Sequence, residues 1–360
     1  RSCTKMDVPN AYSLASRGTR EPIAMLMPAA APMVDDDGFE LVILIEGSAI
    51  WGESIAGRDW YFTFCDRLQR GGWSQCENVP CLWYRETEDG HDARACVTVD
   101  DVLVSEANMR YDLTDELRSW LNTTFDVEVS YEREPTSFAG YSLTWDREHY
   151  RVTLRMSAKI EQSVSELCPE ITNPELREKL CLPQGTKLRD LLESLRLVPK
   201  EKRAARMSKE QTRTQSVTGA LKWFNKCMPW LTKPVHCLSS IMGAPPPEAL
   251  SAALGLLAEC YDRRMHGITL GATSDRDDSL RMSLSADYDF SDGAPAGLAG
   301  LADATWNDRA LYGILITAFG GAIFHTAKLL HLLVDSSTES EAVATGKLGE
   351  AIAYAREIFR

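Results

Sequence analysis

Two acidic sites carry the residue types and neighbours that metal-assisted chemistry needs. Asp7 lies in Met6-Asp7-Val8-Pro9-Asn10-Ala11-Tyr12, and Asp100 and Asp101 are adjacent in Val97-Thr98-Val99-Asp100-Asp101-Val102-Leu103-Val104. Both positions read as strand ends. Neighbouring carboxylates in a tight turn between apolar strands repel each other, and partial burial removes the water that would screen them. Divalent cations relieve that cost. Hard ions such as Mg²⁺ take oxygen ligands, and a pair of them activates an attacking hydroxyl while stabilising the leaving oxygen of a phosphoryl transfer. An Asp-Asp pair also suits an ordinary solvated turn, so these residues alone leave both readings open. Among the ten cysteines the nearest approach to a metal-ligand spacing is Cys76 and Cys81, with no second pair, which favours reduced structural thiols.

The elements that must position these carboxylates are short. Runs from Leu41 to Ile45, Ala95 to Val99 and Val102 to Val104 read as strands, and Asp59 to Arg70 reads as a helix with Trp60, Phe64 and Leu68 on one side. A second helix fits Asp112 to Phe125, followed by strand character over Asp126 to Tyr131, Ala139 to Trp145 and Arg151 to Leu154. Mixed helices and hairpins predict an α+β fold. From Leu176 to Arg213 the chain holds eleven basic and five acidic residues, which reads either as a solvated helical face with a linker near Pro199 or as a track for phosphates. Pro245 to Pro247 can start a helix with Leu250, Leu254, Leu257 and Tyr261 on one face. The Ser-, Asp- and Gly-rich segment Gly271 to Gly300 reads as a domain boundary, with three strand-like runs, a Gly320-Gly321 turn and a helix from about Thr338 to Phe359 beyond it.

In order and surroundings these residues resemble the Pol polyprotein of copia-type LTR retrotransposons, a transposable element with reverse transcriptase, RNase H and DNA integration functions. DVPNAY is similar to polymerase motif A, and TVDDVLV is similar to the family's YVDD motif. The resemblance implies metal-binding carboxylates at Asp7, Asp100 and Asp101, a metal-facing carbonyl at Val8, and at Tyr12 an aromatic gate against the ribose 2′-hydroxyl. Ser48 to Trp60 resembles the stretch that lies against the nascent base pair and template, which implies substrate contacts at Gly52 and Arg58. Ser54, Ile55 and Gly57 depart there from Lys, Gln and Pro, and Thr98 stands where the YVDD motif usually has Tyr. Phe138 to Leu143 is similar to a primer-grip hairpin, implying contacts at Gly140 and Tyr141. Gln215 to Trp223 with Thr232-Lys233-Pro234 resembles the connection region. Leu301 to Trp306 and Ser336 to Ala344 look like the first strand and the helix of RNase H, with Asp303 and Glu341 as its first two carboxylates.

The resemblance therefore implies a reverse transcriptase palm over 1–165 without its fingers, a thumb or connection over 166–290, and a truncated RNase H-like domain over 296–360. It implies Mg²⁺ or Mn²⁺ as cofactor, dNTP as substrate, and an RNA template, DNA primer or RNA/DNA hybrid as partners alongside the rest of Pol. The alternative is a catalytically dead relic or a nucleic-acid or partner-binding module. A formal charge of −13, from 39 basic and 52 acidic residues, excludes coating of nucleic acid by bulk charge, so contact must be local. The sequence shows no secretory signal, and the apolar run from Leu311 to Val334 contains His325, Lys328 and His331, which favours buried strands over a membrane span. The expected location is the cytoplasm, in a virus-like particle, or the nucleus.

Overall fold

The computed structural model describes residues 1–16, 23–26, 42–45, 48–49, 53–77, 79–149, 151–196, 208–271, 298–304, 311–318, 321–329 and 336–359. They form a mixed α and β protein in which every strand pair given by register is antiparallel. Backbone packing divides the chain into two compact units, Arg1–Ala139 and Gly140–Arg360.

The first unit is built on β1 (Ser2–Asp7), β2 (Ser74–Gln75), β3 (Leu82–Glu86), β4 (Asp92–Thr98), β5 (Asp101–Glu106) and β6 (Ser130–Arg133), in the spatial order β2-β3-β4-β5-β1-β6. Period-two burial decides the inner face: Ala93, Ala95 and Val97 from β4, Val102 and Val104 from β5, and Met6 from β1. They share one core with helices α1 (Ala56–Arg70) and α2 (Asp112–Phe125). Trp60, Phe64 and Leu68 recur at four-residue spacing on α1, as do Leu113, Leu117 and Leu121 on α2. Each large apolar side chain buried this way contributes about 1.5–3 kcal/mol. Strand character does not begin at Asp126. That residue adopts φ 53° and ends α2, and the Asn122 carboxamide oxygen accepts from the Val129 amide at 2.8 Å, so β6 starts only at Ser130.

One buried ion holds the far end of β5. Glu106 is fully buried, accepts from the Leu113 and Thr114 amides at 3.1 and 3.0 Å and from the Thr114 hydroxyl at 2.7 Å, and lies 2.7 Å from His91 Nε2. It thus satisfies the free amides at the start of α2 from another element, where an N-cap side chain would otherwise act. Burial pushes the Glu106 carboxyl up, but the Thr114 hydroxyl, His91 and the two amides outweigh it and hold the group below its ordinary range.

In the second unit, β7 (Tyr141–Asp146), β8 (Arg151–Arg155) and β9 (Ile268–Gly271) form antiparallel neighbours. Helices α3 (Ser157–Leu167), α4 (Gly185–Arg196), α5 (Lys209–Phe224), α6 (Thr232–Ser240) and α7 (Glu248–Asp262) enclose a core that includes Ile160, Leu192, Leu221, Leu238 and Leu257. A capping box between Ser208 and Gln211 starts α5. The triple proline precedes α7, which buries Leu254 and Leu257 and leaves Leu250 and Tyr261 half-buried. Gly255 is required there, because a Cβ would come within 2.6 Å of the Pro183 carbonyl oxygen. The C-terminal strands β10 (Ala299–Ala304), β11 (Leu311–Ala318) and β12 (Gly321–Leu329) form one sheet against α8 (Ser337–Phe359). Gly300 lets Leu348 and Ile352 approach, since a Cβ would lie 2.6–2.7 Å from them. Within the apolar run after Leu311, the described residues Leu311–Ala318 and Gly321–Leu329 are therefore strand. No helix among the described residues is long and apolar enough to cross a membrane. Gly320 and most of 271–300 lie outside the described residues.

Because the Glu106 carboxyl is lowered on folding, its stabilisation is present above the ordinary carboxylate range and is lost as pH falls through the lowered value. Glu106→Gln should cost on the order of 2 kcal/mol in urea denaturation at pH 7, since one acceptor becomes a donor facing amides, and the deficit should shrink on acidification. An unchanged urea midpoint would contradict this role.

Candidate functional site

The site is a hairpin turn set against a strand end. Register places Asp7 directly across from Asp101, and the Val8 amide donates to the Asp100 carbonyl at 3.1 Å. Val99 and Asp100 form the turn between β4 and β5, where Thr98 pairs with Asp101. Val99 adopts φ 58°, a left-handed conformation that costs a β-branched residue about 1–2 kcal/mol. The buried Trp60 indole donates to the Val99 carbonyl at 2.6 Å and pins the turn to α1. Asp7, Val8, Asp100 and Asp101 are thereby gathered at one end of the sheet.

Alternation along β1 puts Lys5 on the same face as Asp7, and Lys5 Nζ lies 3.1 Å from Asp101 Oδ1. Burial, then the charges of Asp100 and Asp101, hold the Asp7 carboxyl above its ordinary range, with Lys5 pulling the other way. Lys5 is a member of the site that its residue type alone does not announce. Its signal was the two-residue step from Asp7 within one strand.

Tyr12 lies beside Gly57: a Cβ on that glycine would sit 3.9 Å from the tyrosine ring and hydroxyl, an ordinary contact. Arg58 is exposed in the first turn of α1, while Gly52 lies outside the described residues. Gly140 has φ 83°, and a Cβ there would come within 3.1 Å of Trp223. Tyr141 is half-buried against the helical core of the second unit, and burial pushes its hydroxyl up to about 12, so it is in large part a packing residue. Asp303 and Glu341 are both exposed, on β10 and α8. Within the basic stretch, Arg177 donates to both oxygens of Asp262 at 2.7 Å and Arg213 to the Leu167 carbonyl at 2.8 Å, so both are committed internally. Residues 197–207 lie outside the described residues.

Among the described residues, one group of three His, Cys, Asp or Glu side chains has its ligand atoms all within 4.8 Å: His91, Glu106 and Asp112. Asp7, Asp100 and Asp101 spread wider than this, as expected of like charges with a lysine drawing one of them aside. The His91 group is a poor cation site. Glu106 is already saturated by donors, the start of α2 presents the positive end of its dipole, and Asp112 is paired with Arg110. The chain matches no protein-family model and no curated protein sequence.

The raised Asp7 carboxyl favours folding only while protonated, a contribution lost as pH rises through its raised value. At neutral pH in EDTA, Asp7→Asn should therefore stabilise the chain by up to about 1 kcal/mol, and the gain should fade near pH 4. Val99→Gly should add a similar increment by relieving the turn. Thermal melts across pH test both, and a destabilised Asp7→Asn protein at pH 7 would refute the electrostatic account.

Proposed function

We propose that residues 1–165, which include the first unit, are the palm of an RNA-directed DNA polymerase of the copia retrotransposon type, acting by attack of a primer 3′-hydroxyl on the α-phosphate of a dNTP. The observation that carries this reading is the placement of Asp7 on β1 directly across from Asp101 on the adjacent β5, with Asp100 in the turn beside them and the Val8 backbone bonded to that turn. The donor set is all hard oxygen, and the raised Asp7 carboxyl marks a concentration of negative charge that a cation would relieve. Mg²⁺ or Mn²⁺ held by Asp7, Asp100, Asp101 and the Val8 carbonyl would supply activation of the hydroxyl and stabilisation of the leaving group. Tyr12 and Arg58 would face dNTP and template. Gly140 and Tyr141 would bear on the primer, and Asp303 and Glu341 on an RNase H-like centre in the second unit.

A second reading is favoured by the Lys5–Asp101 ion pair: a relic whose palm no longer turns over. An ammonium at 3.1 Å competes with a metal for the same oxygen. The departures at Ser54, Ile55 and Gly57 point the same way, because small misplacements of reacting groups can cost ~10²-fold in rate.

Mn²⁺ titration followed by electron paramagnetic resonance separates these readings. Asp7→Asn and Asp100→Asn should each weaken binding at least about tenfold, and Lys5→Gln should tighten it several-fold. Primer extension on an RNA template with Mn²⁺ should be slow and should vanish in Asp100→Asn. Binding indifferent to all three substitutions would overturn the polymerase reading. Binding without extension in both the wild type and Lys5→Gln would establish the relic.

A further inference from the structure

Helices α4, α6 and α7 do not close fully on one another, and a cleft of about 390 Å³ remains between them in the second unit. Its floor is core. Leu188, Leu192 and Leu256 are each under 5% exposed, yet each turns one side to the opening. Its mouth is different in kind. Trp230 forms one wall, with the Arg263 guanidinium 4.9 Å from its ring centroid. Lys233 closes another side through a 2.6 Å ion pair with Glu193, which uses the charge of both. Arg189 is exposed at the rim and has no ion-pair partner among the described residues.

Glu259 also lines the cleft, but Glu193 is paired with Lys233, so the apolar floor, the aromatic wall and the exposed Arg189 guanidinium together suit a ligand with one flat ring and one anionic group. The size falls in the range of small-molecule sites, about 300–1,000 Å³. A flat ring fits beside Trp230, over which the Arg263 guanidinium already lies 4.9 Å from the ring centroid. A single anionic group on that ring would reach Arg189 in a forked, charge-assisted contact. We propose that the cleft binds a planar aromatic anion, with its ring between Trp230 and the leucine floor and its carboxylate or sulfonate on Arg189. This site shares no residue with the carboxylate end of the first unit, and it stands whether or not the polymerase reading does.

The full chain titrated with 1-anilinonaphthalene-8-sulfonate tests the proposal, read by dye fluorescence and by quenching of tryptophan emission. One saturable site per chain is expected. Arg189→Glu should weaken it about tenfold or more, Arg189→Lys should lose only a few-fold, and Lys179→Glu, an exposed charge reversal outside the cleft, should leave it unchanged. Leu256→Trp should abolish binding by filling the floor. Arg189 is exposed, so its variants keep the test valid even where Leu256→Trp fails to fold. The neutral analogue N-phenyl-1-naphthylamine should bind at least about tenfold more weakly than the sulfonate. Unsaturable binding, equal loss in Arg189→Glu and Lys179→Glu, or equal affinity for the neutral dye would each overturn the assignment.

Discussion

The register between Ser2–Asp7 and Asp101–Glu106 is the constraint on which the first unit depends. Side chains alternate faces along a strand, so a one-residue slip of β5 would send Val102 and Val104 to solvent and carry Asp101 into the core. Two features at opposite ends of one strand forbid that slip. At one end Glu106 is locked to His91 and to the first amides of the following helix. At the other, the Trp60 indole fixes the Val99 carbonyl and with it the turn.

What the register creates at its open end is costly in isolation. A valine is held in left-handed backbone, and two carboxylates face each other across a strand pair beside a third. Such strain and repulsion persist only where the surrounding structure over-determines them, and they concentrate where a chain handles charge. Lys5 answers part of the repulsion from within the chain. It has a double consequence, steadying the fold while occupying an oxygen that a metal would need.

Much of this arrangement is legible in the amino-acid sequence. The helix Asp112–Phe125 and the hairpin between the Ala95–Val99 and Val102–Val104 runs follow from apolar periodicity and β-branched runs, which are local signals, although the turn falls at Val99-Asp100, one residue earlier than those runs imply, because Val99 takes left-handed backbone. The burial of Glu106 was not legible, because its partners His91 and Thr114 are 15 and 8 residues away and nothing in their types announces a saturated carboxylate. The late start of the strand at Ser130 was hidden for a similar reason: Asp126 in left-handed conformation overrides the strand character of Val127 and Val129. Lys5 was overlooked because a charged residue in a strand is ordinarily a solvated one. Only the pairing of β1 with β5 shows which carboxylate it meets.

The central claim is that divalent cations settle at Asp7, Asp100 and Asp101. Fe²⁺ can stand in for Mg²⁺, and with ascorbate and peroxide it generates hydroxyl radicals that cut backbone close to where it binds. Cleavage should map to two short windows, one around Asp7 and Val8 and one around Val99 to Asp101, and excess Mg²⁺ should suppress both together. Cuts confined to the neighbourhood of His91, Glu106 and Asp112, or scattered without competition by Mg²⁺, would contradict the account.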